Sequence, residues 1–176
     1  MSCRRLVFDT GPLSSFAVIA RLDLLEAICA GHGSWPLSVQ RELRAGVRTL
    51  PALAHAHQAR FLGRPEVLEH PADLLEAELL RVRLAGSSRS QRHNRGEAEA
   101  ILLARRRRGM FVSEDRDARV LAAVELGPGR VASTTDLLAR AVRMGLVGPA
   151  EARGLHQAML AAGRRPGRLR PGQLGP

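Results

Sequence analysis

Lysine is absent from the 176 residues, and all 27 basic positions are arginine. Whatever the positive charge does, guanidinium groups do it. Aromatic residues make up only 3%, so any core must be aliphatic, built from Leu, Val, Ile and Ala. The two cysteines, Cys3 and Cys29, have neither metal-ligand spacing nor a disulfide framework, and read as thiols of a reducing cytoplasm. No apolar run approaches the roughly 20 residues of a membrane span. No signal-type apolar segment follows Arg4 and Arg5, so a cytoplasmic protein with no membrane partner is expected. The histidines share no register: His55 and His57, two positions apart, fall on different faces of a helix. That pattern excludes a paired helical histidine metal site.

What is present suits one domain of fair size, with 45% hydrophobic residues in a single 176-residue chain. The formal net charge is +10, and the sequence pI is about 11.5. A basic chain of this kind attracts polyanions, of which nucleic acid is the usual one. The last fourteen residues, 163–176, hold seven Gly or Pro and four Arg without an acid. On composition they are a disordered basic tail, leaving 1–162 as the folded domain.

The chain is organised around Leu6-Val7-Phe8-Asp9-Thr10-Gly11-Pro12: an apolar strand, an aspartate and a tight turn into a helical pattern opening at Leu13. Met110-Phe111-Val112-Ser113 is a second such strand, running into Glu114-Asp115-Arg116-Asp117 and a helix over 118–126. Helical patterns cover 22–30, 39–45 behind Ser38 as N-cap, 47–62 with a break at Pro51, 72–85, 96–104, 136–144 and 149–162. Shorter strands are expected near Ser34–Leu37, over 66–69 and at Val131-Ala132. Residues 86–95 lose all periodicity and read as a basic loop. Arginines 105–108 close a helix, where they complement its dipole, and phosphate contact there is the lesser expectation.

Four carboxylates occupy telling places: Asp9 after a strand, Glu42 on a helix, Glu97 in the first turn of a helix and Asp115 after a strand. Each has an ordinary explanation as cap, turn former or exposed helix residue. Together they suit a parallel sheet, which gathers residues distant in sequence at its carboxyl edge. Clustered acids in a basic protein repel one another unless a cation neutralises them, and oxygen donors favour Mg2+ or Mn2+. Such ions can activate water against phosphate, with the arginines holding the polyanion.

The segments VFDTGPLSSFA, SVQREL, RGEAEAILLA, FVSEDRDAR and STTDLLARAVRMGLV, in that order, resemble PIN-domain proteins of the branch with a GEAEAI-type helix. The resemblance implies a Rossmann-like α/β fold, a central parallel sheet flanked by helices on both faces. It also implies a Mg2+- or Mn2+-dependent ribonuclease site. Asp9, Glu42, Glu97 and Asp115 match its acidic positions, and Asp117 stands as an extra ligand or metal-water partner. Glu114 and Glu99 rank lower; Glu99 lies about 200° around the helix from Glu97. Many such proteins are toxins of toxin–antitoxin pairs and form dimers, so RNA, an antitoxin protein and a second copy are the implied partners.

Two rivals fail on residues. A haloacid-dehalogenase-type phosphatase needs a second aspartate where Gly11 stands, and a helix-turn-helix regulator has no use for two strand–carboxylate junctions. A non-catalytic RNA-binding PIN-like protein remains the alternative.

Overall fold

The computed structural model describes residues 4–85 and 94–175. Four short parallel strands form one sheet: β1 (Leu6–Phe8), β2 (Gly33–Ser34), β3 (Met110–Val112) and β4 (Val131–Ala132). Their spatial order is β2-β1-β3-β4. Parallel strands need crossover connections, and helices supply them: α1 (Thr10–Val18) and α2 (Leu22–Cys29) link β1 to β2. Between β2 and β3 come α3 (Leu37–Gly46), α4 (Leu53–His57), α5 (Pro71–Ala85) and α6 (Asn94–Arg106). Then α7 (Arg116–Leu126) leads to β4, and α8 (Thr134–Arg143) and α9 (Pro149–Ala161) complete the helices.

Side chains of a strand alternate between faces, and a sheet covered on both sides must be apolar throughout. Leu6 and Phe8 enter a core with α1, α2, α3, α8 and α9, while Val7 points the other way against α6. The β1–β3 register pairs Val7 with Phe111 and Phe8 with Val112, so partners share a face. Trp35 and all four phenylalanines but Phe61 are buried within an otherwise aliphatic interior, as the poverty in aromatics requires.

Several boundaries differ from the sequence reading. The second strand is Gly33–Ser34, Pro36 takes the N-cap position of α3, and the Ser38 hydroxyl is buried without a partner. The pattern over 47–62 yields only α4 and a 3₁₀ turn, Arg60–Leu62, because Pro51 has no N–H for a continuous helix. The strand expected over 66–69 reduces to one bridge between Pro36 and Glu66. Of the expected loop, Asn94 and Arg95 already belong to α6, while 86–93 lie outside the described residues.

The largest correction concerns the C-terminal segment. Residues 163–175 pack against α8 and α9 instead of forming a disordered tail. Leu174 is 5% exposed, and the Gly167 carbonyl lies 2.8 Å from His156 Nε2. Gln173 Nε2 donates to Asp136 Oδ1 at 3.0 Å. The turn needs its glycine: Gly167 sits at φ +94, where a side chain is strained.

Arginines 105–107 face acids rather than standing free. Arg105 meets Glu76 and Glu125, Arg106 meets the buried Asp73, and Arg107 meets Glu66. The run is engaged in ion pairs, which removes the ground for reading it as a phosphate contact.

Candidate functional site

In sheet order the chain leaves β1 toward β2 on one side and leaves β3 toward β4 on the other. The crevice between β1 and β3 is therefore the topological switch point, where open parallel sheets bind ligands. Asp9 follows β1 and Ser113 follows β3; the Asp9 N–H donates to the Val112 carbonyl at 3.0 Å, which sets the two junctions side by side.

Asp9 is 5% exposed and caps α1, accepting from Thr10 N at 2.6 Å through Oδ1 and from the Ser113 hydroxyl at 2.8 Å through Oδ2. Asp115 caps α7, accepting from Ala118 N at 2.7 Å. Both strand-end aspartates thus do the ordinary work of helix caps, and this does not remove them from the site. Glu42 comes from α3 and accepts from the Thr10 hydroxyl at 2.6 Å. Glu97, in the first turn of α6, has an Oε2 that is buried with no hydrogen-bond partner. Glu114 accepts from the Ser15 and Thr134 hydroxyls at 2.5 and 2.8 Å.

One cleft of about 330 Å3 is lined by Asp9, Thr10, Gly11, Glu42, Glu97, Glu114, Asp115 and Arg165. The four leading carboxylates of the sequence reading thus share it, and Glu114, ranked lower there, joins them. Asp117 is exposed on α7 and does not line this cleft. Glu99 points away as helical geometry requires: it is buried and ion-paired with Arg95 at 2.7 Å. Ser113 was overlooked, although aligning VFD with FVS sets it opposite Asp9. Arg165 had no signal, lying in a segment that composition assigned to a tail.

Burial and mutual repulsion govern the charges. The Asp9 carboxyl is pushed up to about 7, first by burial, with its two hydrogen bonds opposing and Glu42 and Glu114 adding to the rise. Glu97 is pushed up to about 9, again first by burial, then by the charge of Asp9 and, after it, of Glu42 and Asp115. Burial also raises Glu42, against the Thr10 hydrogen bond. Carboxylates held this way are costly unless a proton or another cation joins them.

The packing leaves little slack. A Cβ on Gly96 would stand 2.8 Å from Glu42 Oε1 and 3.1 Å from Oε2. Gly96→Ala is expected to displace the Glu42 carboxylate while leaving α6 intact, since alanine favours helix. Circular dichroism and a melting temperature within a few degrees of the parent, with weaker divalent-cation binding by titration calorimetry, would bear this out; parental binding would refute it.

Hard cations suit an all-oxygen donor set, and Mg2+ commonly keeps waters and uses only one or two carboxylates. Among the described residues, no three His, Cys, Asp or Glu side chains form a complete ligating group. Asp9, Glu42 and Asp115 accept hydrogen bonds within the protein, whereas Glu97 Oε2 is buried without a partner. The donor set is all oxygen, the kind that suits a hard cation which keeps part of its water shell.

A family model described as a PIN domain matches residues 5–168. No curated protein and no solved structure matches the chain.

Proposed function

The chain belongs to the PIN-domain family, a nuclease-type family, and on that premise we propose that it is a divalent-metal-dependent endoribonuclease. The observation that carries the proposal is the Glu97 Oε2 atom, buried and unpartnered in a cleft of five carboxylates within a chain of net charge +10. An acid there is unfavourable for folding alone, which supports a cation-holding role. Glu97 and Asp9 would hold Mg2+ or Mn2+, with Glu42, Asp115 and Glu114 taking its waters. The bound ion would supply an activated water and offset charge on the scissile phosphate.

The chain's own groups do the rest. Ser113 and Thr10 fix the rotamers of Asp9 and Glu42 through their hydroxyls. Ser15 and Thr134 orient Glu114 in the same way. Preorganised carboxylates need no rearrangement when charge develops. The arginine excess suits RNA as substrate. The family likeness extends the proposal to a toxin of a toxin–antitoxin pair, acting as a homodimer in the cytoplasm with an antitoxin protein as partner. Among the described residues no helix is long and apolar enough to cross a membrane.

One observation favours the alternative of a non-catalytic RNA-binding protein, namely that no complete ligating group is preformed. A divalent titration separates the two. Cleavage of an unstructured RNA oligonucleotide should rise with Mg2+ or Mn2+, saturate, and vanish in EDTA. RNA binding with no cleavage at any divalent concentration would leave the non-catalytic reading.

A further inference from the structure

Arg165 lines the carboxylate cleft, yet it forms no ion pair with any acid there or elsewhere among the described residues. An arginine present to neutralise the acids would sit within contact of one. Three residues on, Arg168 shares a second groove of about 590 Å3 with Arg153, Leu169, Arg170 and Leu174. At most about 11 Å of extended chain separates the Cα atoms of Arg165 and Arg168. Arg153 and Arg168 also lack ion pairs among the described residues, and Arg170 reaches only Asp136, at 3.2 Å and three-quarters exposed.

The segment is anchored by other residues. Arg164 N donates to the Met159 carbonyl at 2.9 Å, Pro166 is buried, the Gly167 carbonyl is held by His156, and Leu174 enters the core. Between those anchors, arginines 165 and 168 face solvent. An ordered segment thus presents unpaired guanidinium groups at an acidic cleft and, three residues on, at a second groove, a spacing that suits phosphates held in sequence. Guanidinium forks grip phosphate oxygens in two-point contacts.

We infer that the C-terminal segment is a substrate-binding element: Arg165 at the cleft, and Arg153, Arg168 and Arg170 in the adjoining groove, grip the phosphodiester backbone of one RNA strand. The inference rests on the ribonucleic-acid reading above and assigns that substrate its path. It also gives residues 163–175, which composition alone reads as a disordered basic tail, a role in recognition.

The test is salt-dependent binding of a fluorescent single-stranded RNA to the full chain in EDTA. The parent is compared with Arg165→Gln, Arg153→Gln/Arg168→Gln, and Arg108→Gln as control. Arg108 is exposed just before β3, at the opposite end of the strands from the cleft. Each lost phosphate contact should lower the slope of log affinity against log salt by about 0.7, and weaken binding about fivefold to tenfold at low salt. Arg165→Gln should show one such loss, the double variant about two, and the control none, all with parental melting temperatures. Slopes matching the control would overturn the inference. Tighter binding by Arg165→Gln would overturn it too, since the segment would then be a block and not a grip. A parent that binds through these arginines but never cleaves would defeat the ribonuclease reading and leave the groove standing. A parent that cleaves, with variants of unchanged slope, would do the reverse.

Discussion

Asp9→Asn is expected to leave the fold intact and to lower divalent-dependent RNA cleavage by about a thousandfold or more. The variant is nearly isosteric. Its amide oxygen can still accept from Thr10 N, and its amide nitrogen can donate to the Ser113 hydroxyl, which is able to turn and accept. What disappears is the negative charge at the switch point. With that charge gone, a divalent cation loses one of its two principal carboxylates, while Glu42, Glu97 and Glu114 remain to repel the substrate phosphate. Because burial and its acidic neighbours already disfavour the ionised form of Asp9, the melting temperature should hold or rise. Asp117→Asn is the matched control: the same chemistry on an exposed residue outside the cleft lining. Its cleavage rate should stay within about twofold of the parent, since exposed substitutions away from the site have small effects. Parental cleavage by Asp9→Asn in Mg2+ or Mn2+ would sink the metal-nuclease assignment. Equal losses in both variants would mean that Asp117 belongs to the site after all.

The two strand–acid junctions made the architecture legible. An apolar triplet that ends in a polar turn, twice, with helical stretches between, leaves a parallel sheet as the economical solution, and β1 and β3 are indeed neighbours. Glu42 and Glu97 were legible for a different reason: α3 and α6 carry several other charged residues, and it is the SVQREL and RGEAEAILLA segments, by their resemblance, that single these two acids out. Glu114 was harder to see because its neighbour Asp115 offers the obvious capping role; only the third dimension brings Ser15 and Thr134 to it. The C-terminal segment misled through composition. Seven glycines and prolines among fourteen residues suggest an unpacked chain, yet Leu174 and Pro166 suffice to seat it, because α8 and α9 offer a surface already formed. Local pattern carries no record of such long-range docking. The arginine run 105–108 shows the converse: its acids are supplied by α5, α7 and the chain around Glu66, so its charge is largely spent within the molecule.

Glu97→Gln should make the metal-free protein more stable at alkaline pH while destroying its response to divalent cations. In the folded protein the carboxyls of Asp9 and Glu97 are raised from 3.8 to about 7 and from 4.5 to about 9. The folded state therefore holds more protons than the unfolded chain throughout that window. Stability must then be greatest below about pH 4 as far as these groups are concerned, and must decline as pH rises toward 7 and then 9. Each unmatched proton contributes up to about 1.4 kcal/mol per pH unit. For a chain of this length, 1 kcal/mol moves the melting temperature by about 2–4 °C. In EDTA the parent should thus melt several degrees lower at pH 8.5 than at pH 5.5, and saturating Mn2+ should restore most of the difference by replacing the missing protons. Glutamine at position 97 carries no charge to desolvate, and its amide can donate to the neighbouring carboxylates. The variant should therefore melt about 4 °C or more above the parent at pH 8.5 in EDTA, with a shallower decline between the two pH values. It should also gain little from Mn2+ and cleave RNA poorly. Thermal scans at the two pH values, each with EDTA and with Mn2+, check every part of this. A variant that declines as steeply as the parent, and is still rescued by Mn2+, would show that Glu97 is neither the strained carboxylate nor a holder of the ion.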